Sequence, residues 1–161
     1  MIIVSDTSPI SGLLVIGRLD LLPRIYGKVI IPQVVFEELL ALEGYGYNLE
    51  ELHEAPWLEL AEPSDKQLVV KLNEELDKGE SAAIALALEL NANYLVIDEK
   101  QGRTVAESLG IEIIGLVGIL IEAKELGIIK QVKPLLDDLQ EKAGFWISRK
   151  FYSYILGKLN E

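Results

Sequence analysis

The chain has 161 residues, enough for one domain with a sizeable core and too few for two ordinary ones. Half of it is hydrophobic, which excludes a disordered chain, and it contains no cysteine, which excludes disulfides and thiolate metal sites. The formal net charge of −11 argues against a uniformly basic nucleic-acid-binding face.

The charge is uneven. Between Val29 and Asp65 there is no Lys or Arg, while Glu37, Glu38, Glu43, Glu50, Glu51, Glu54, Glu59 and Glu62 all fall there. In the tail, Lys142, Arg149, Lys150 and Lys158 outnumber Glu141 and Glu161. The N-terminus opens on a strand, with no basic segment before an apolar run, so a cytoplasmic protein is expected. The longest apolar stretch, Ile111 to Ile121, is interrupted by Glu112, Gly115 and Gly118 and is too short to span a membrane.

In chain order, Ile2-Ile3-Val4 is a β-branched run of the kind buried on both faces in a parallel sheet. Asp6 follows it, and Thr7-Ser8-Pro9 starts a helix running to about Val15. A second helical piece, Arg18 to Tyr26, ends at Gly27. Val29 to Ile31 is a second buried strand, and Pro32 starts a helix through about Glu43. Tyr47 to Glu54 is a helical turn or a loop, and Trp57 to Leu60 alternates like a short edge strand. Pro63-Ser64-Asp65 opens a helix to about Leu76. Asp77-Lys78-Gly79 is a turn, and an Ala/Leu-rich helix covers Glu80 to Leu90. Tyr94 to Ile97 is a third buried strand, followed by a helix from Gly102 to Leu109, and Ile111 to Ile114 is a fourth. Helices after Gly115, around Val132 to Lys142 and around Ser148 to Leu159 complete the chain. There is no internal repeat and no low-complexity linker, so residues 1–161 read as a single domain.

Strands alternating with helices predict a parallel sheet covered on both faces, with the carboxyl ends of its strands on one edge. Ligands bind at that edge in open α/β sheets. Asp6 and Asp98 each follow a strand and belong there; Asp6 is also suited to capping a helix. On a wheel of 100° per residue, Glu38 lies roughly 60° from the centre of the apolar face made by Val35, Leu39 and Leu42, and Glu37 roughly 160° from it. Glu38 therefore borders the core and Glu37 is solvated. Glu80 shares a face with Ala83, Ile84, Ala87 and Leu88. It needs a partner there, unless it simply complements the helix dipole in the first turn.

Together Asp6, Glu38, Glu80 and Asp98 suggest a carboxylate-only pocket. Hard oxygen donors suit Mg²⁺ or Mn²⁺. Four like charges repel without a cation, and some of their pKa values should rise. A metal there would lower the pKa of a bound water, the chemistry of phosphodiester hydrolysis.

Five segments carry a family resemblance: Ser5-Asp6-Thr7-Ser8-Pro9, Pro32 to Leu39, Gly79 to Ile84, Val96 to Arg103 and Gly115 to Leu120, with Ala143 to Ser148 fitting as well. The chain resembles PIN-domain proteins, the fold of many prokaryotic ribonuclease toxins, and within them a prokaryotic PIN-like family. The resemblance covers nearly the whole chain and implies a three-layer α/β/α domain with a central parallel sheet of four or five strands. It further implies a divalent-metal-dependent endoribonuclease, with catalytic and metal-holding acids at Asp6, Glu38, Glu80 and Asp98 and Glu99 as a further ligand. Homodimerisation and an antitoxin protein partner are implied too. The chain departs from the usual pattern in having Glu80 where Asp is common, and Ile97-Asp98-Glu99 where a Thr or Ser closely followed by Asp is common. Those departures and the acidic charge favour the alternative, a non-catalytic PIN-like protein acting through a protein partner or as an oligomer. A phosphatase using Asp6 is disfavoured, because Thr7-Ser8 supplies no second Asp two positions on.

Ser5, Thr7 and Ser8 are candidates for hydrogen-bonding a phosphate, or caps of the first helix. Lys100 and Arg103 are candidates for contacts to RNA phosphates, or a solvated helix start. His53, the only histidine, lies in an acidic stretch without a partner. The tail Phe145 to Tyr154 interleaves aromatics with two bases, a pattern that can clamp single-stranded RNA. The helical spacing of Trp146, Phe151 and Ile155 favours instead an amphipathic helix packed on the body.

Overall fold

The computed structural model describes residues 1–161. Five parallel strands form one sheet: β1 (Ile3–Ser5), β2 (Val29–Ile31), β3 (Leu58–Leu60), β4 (Tyr94–Val96) and β5 (Ile113–Ile114), in the order β3-β2-β1-β4-β5. β1 is central. Val4 pairs with Ile30 on one side, and Ser5 pairs with Val96 on the other. Trp57 to Leu60 supplies the edge strand its alternation predicts, paired to β2 through Ile31 and Leu60.

Alternation along the strands produces the layers. Ile3 and Val96 belong to a core on one face, with Ile10, Leu13, Leu116, Ile119 and Leu139. Val4, Leu95 and Ile97 belong to a core on the other, with Ala83, Ile84, Leu86 and Ala106. The first face carries α1 (Thr7–Val15), α2 (Leu21–Tyr26), α8 (Leu116–Glu125) and α9 (Lys133–Lys142). The second carries α5 (Lys66–Leu72), α6 (Lys78–Glu89) and α7 (Lys100–Ser108). Each fully buried Ile, Leu or Val contributes roughly 1.5–3 kcal/mol of burial. This is the three-layer α/β/α arrangement with a parallel sheet.

Several boundaries differ from the sequence reading. α3 (Gln33–Leu40) ends early because Ala41–Tyr45 tightens into a 3-10 turn, closed by Gly46 at φ +89°. The ambiguous stretch holds one short helix, α4 (Glu50–His53). α5 stops at Leu72, although Leu76 still reaches the core. α6 starts two residues before Glu80, because Asp77 caps it. The last helix, α10 (Arg149–Lys158), begins after Trp146, so that residue is not on its face. α10 presents Ile155 and Leu156 inward. No helix is long and apolar enough to cross a membrane.

Candidate functional site: a carboxylate edge

The carboxyl ends of β1 and β4 lie side by side, and the Asp6 N–H donates to the Val96 carbonyl at 2.9 Å. Asp6 occupies the N-cap position of α1 without a side-chain capping bond. Asp6 is 3% exposed. Burial, together with the charges of Asp77, Glu80 and Glu38, pushes its pKa up to about 7, against the opposing Thr7 N–H. Thr7 does not cap α1: its hydroxyl donates to Glu38 Oε2. α3 therefore delivers Glu38 across the carboxyl edge towards α1, half-buried, while Glu37 is exposed.

Glu80 is buried and forms a reciprocal capping box with Asp77. The Glu80 N–H donates to Asp77 Oδ1 at 2.8 Å, and the Asp77 N–H donates to Glu80 Oε1 at 3.3 Å. The other oxygen, Oε2, is buried without a hydrogen-bond partner. Burial and the Asp77 charge raise the Glu80 pKa to about 7, with Glu99 adding to the effect. Asp98 faces another way. Its oxygens accept from the Leu116 N–H at the start of α8, at 3.1 and 3.3 Å. Burial raises its pKa to about 6, opposed by that hydrogen bond and by Arg103.

The predicted acids thus fall into two groups. The charges of Asp77, Glu80 and Glu38 bear on Asp6, and that of Asp77 bears on Glu80 as well. Asp98 and Arg103 form the second group, and Glu99 exerts its charge on both Glu80 and Asp98. None of Asp6, Glu38, Glu80 and Asp98 takes part in an ion pair.

Glycines hold three of the carboxylates. A β-carbon on Gly79 would stand 2.7 Å from Glu38 Oε2, one on Gly102 2.5 Å from Glu80 Oε2, and one on Gly115 2.6 Å from Asp98 Oδ1. Each carboxylate occupies space that any other residue's side chain would claim.

The hydroxyl candidates separate. Ser5 is fully buried, and its hydroxyl donates to the Asp6 carbonyl at 2.9 Å, bracing the strand end. Ser8 is exposed and lines a cavity of about 440 Å³ with Ser11, Asp98 and Glu99. Lys100 is exposed, and Arg103 lines a second cavity of about 550 Å³ that also reaches Asp98. His53 is exposed and meets Phe36 edge to face, far in kind from catalytic chemistry. Asp77 is the residue that sequence reasoning missed. The spacing Asp77-x-x-Glu80 is a capping-box signature and marked it.

The donor set fits a hard divalent cation in kind: all oxygen, mostly buried, one oxygen without a partner, and no basic residue in an ion pair to neutralise it. No three of these side chains stand close enough to hold an ion as they are placed. Glu38, Glu80 and Asp98 rest instead on neighbouring O–H or N–H donors.

Fold and edge together define an α/β domain built around a buried acidic centre. A family model described as DUF3368, PIN domain, matches residues 2–161, and the chain belongs to that family. PIN domains are usually nucleases and generally use divalent metals. Among solved structures the chain is similar in fold to a PilT N-terminus domain protein, SSO1118, from the hyperthermophilic archaeon Sulfolobus solfataricus P2. That likeness has 22% identity and a TM-score of 0.53 over 88% of this chain and 95% of that one. No curated protein matches the chain.

Proposed function

We propose that this PIN domain is a divalent-metal-dependent endoribonuclease that hydrolyses RNA phosphodiester bonds in the cytoplasm. The observation that carries this reading is the acidic centre around the buried Asp6: the charges of Glu80 and Glu38 both bear on it, and no ion pair relieves these acids. Asp6, Glu38, Glu80 and Asp98, with Glu99, would hold Mg²⁺ or Mn²⁺, which supplies a water of lowered pKa and charge stabilisation at the phosphorus. Thr7 orients Glu38 through its hydroxyl, and the Asp77 cap fixes the backbone from which Glu80 projects. Ser8 and Arg103 line the cavities that reach Asp98 and, with the exposed Lys100, would bind phosphate oxygens.

The toxin of a toxin–antitoxin module, working as a homodimer against an antitoxin protein, is the biological setting that the family suggests. The test is cleavage of an RNA panel with Mg²⁺ or Mn²⁺, with Asp6→Asn as control. Metal-dependent cleavage lost in Asp6→Asn supports the assignment; cleavage that survives the substitution sinks it.

One observation favours a second reading, a non-catalytic PIN domain acting through a partner. Asp98 rests on the start of α8 and Glu80 on Asp77, with no three acids gathered. Failure of the protein to bind Mg²⁺ or Mn²⁺ at millimolar concentration would favour it.

A further inference from the structure

Between α9 and α10 the segment 143–148 crosses the surface without regular structure. Gly144, at φ +67°, turns the chain into it. The Phe145 N–H then donates to the Leu139 carbonyl at 3.0 Å. Phe145 and Ile147 pack onto the core. Trp146 between them points the other way and is 81% exposed. A strap pinned on both sides of one outward tryptophan displays that ring in a fixed place. Burying an aromatic side chain is among the larger stabilising contributions available to a fold, and here it is forgone.

The place is specific. Trp146 lines both of the cavities that reach Asp98, one shared with Glu99 and Ser8, the other with Arg103. Its chain neighbours are basic. Residues 142–150 contain Lys142, Arg149 and Lys150, all exposed, and no acid, in a chain of net charge −11. A flat aromatic face that shares a cavity with Arg103, on a stretch of chain carrying exposed cations and next to an acidic centre, matches the needs of a flexible polyanion with accessible bases. In a duplex the base faces are already stacked on one another; in a single strand they are free to stack on a side chain.

We propose that Trp146 is a stacking platform for an unpaired base of single-stranded RNA, with Arg149 and Lys150 neutralising the adjoining phosphates. The inference rests on the nuclease reading and gives that site its substrate form: an unpaired strand lying past Asp98.

The test is binding of a short oligouridine, and of the same strand annealed to its complement, to the full chain carrying Asp6→Asn to prevent turnover. Anisotropy of a fluorophore on the oligonucleotide gives the affinity of every variant; in the chain that keeps Trp146 its emission adds a direct readout, because Trp57, the only other tryptophan, is half-buried against the core. Expected results are quenching by the single strand, tighter binding of single strand than duplex, and affinity lowered about tenfold to a hundredfold by Trp146→Ala. Trp146→Phe should retain most of the affinity. An exposed ring leaves the fold intact when removed, so unchanged affinity in Trp146→Ala overturns the proposal. So does a Trp146→Ala effect confined to self-association, which would make the ring a protein contact. If wild type cleaves RNA and Trp146→Ala cleaves equally well, the platform fails and the nuclease stands. If wild type cleaves nothing but Trp146-dependent binding is found, the platform stands and the nuclease reading fails.

Discussion

Gly79 and Glu38 are shaped to each other: the Glu38 carboxylate fills the space where a Gly79 side chain would begin, with both oxygens within 2.8 Å of that point. Gly79 lies in the first turn of α6 with no positive φ, so its backbone tolerates alanine. Glu38 is the end of a flexible side chain and would swing away, losing Thr7. Gly79→Ala should therefore leave thermal stability equal or higher, since alanine favours a helix by up to about 1 kcal/mol. Cation affinity and RNA cleavage should fall at least tenfold. A melting curve and a metal titration on the same sample check the opposite signs.

The pH dependence has an unusual direction. Asp6 and Glu80 are raised to about 7 and Asp98 to about 6, from ordinary values near 4. Between those limits the folded protein holds protons that the unfolded chain has released. Stability from these groups is thus fullest in the acid part of the window and declines as pH rises through the folded values. Acids with lowered values, such as Asp20 and Asp137, act below that window. Melting temperature should fall from about pH 5 to about pH 8, less steeply in Asp6→Asn, and added Mg²⁺ should restore more of it at the upper end.

Asp77 combines a structural bond with a charge, and two substitutions separate them. Asp77→Ala removes the cap of α6 and should cost about 1 kcal/mol, or about 2–4 °C in melting temperature. Asp77→Asn keeps a capping oxygen and should melt close to wild type. It also removes the leading charge acting on Glu80, whose pKa should drop. Carbonyl titration of Glu80 by infrared or NMR would register that drop in the Asn variant.

Glu161 ties α10 back to the body. Its carboxylate accepts from the Val132 and Lys133 N–H groups at 2.9 and 2.8 Å and from Lys124 Nζ at 2.7 Å. Burial works to raise its pKa, but these donors outweigh burial and hold it below the usual value. The stability it confers is present above the ordinary carboxylate range and is lost as pH falls through the lowered value. Glu161→Gln should weaken the clasp, and Glu161→Ala should cost about 1–3 kcal/mol by leaving the start of α9 unsatisfied. Proteolysis of α10 at neutral pH would expose the loosening.

What the sequence conveyed follows from the range of each signal. Asp6 and Asp98 were legible because a buried strand places the next residue at the edge, and Glu38 because a helix wheel separates it from Glu37. In sequence Asp77 belongs to a turn, although its spacing to Glu80 encodes the cap. The distance of Trp146 to Phe151 and Ile155 fits a helical face. Gly144 interrupts that register, and a periodicity count does not see a chain reversal. The directions in which Glu80 and Asp98 bond are set by Gly102 and Gly115, residues distant in sequence that carry no side-chain signal.

The pairing of Ser5 with Val96 joins the first strand to one made some ninety residues later. β1 gains its second neighbour only when that contact closes, and contacts of such long range form late and slowly. The edge shared by β1 and β4 therefore exists only once that contact has closed. An unfolded copy carries every acid without that shared edge, so a site that needs both Asp6 and Asp98 is withheld until the contact closes.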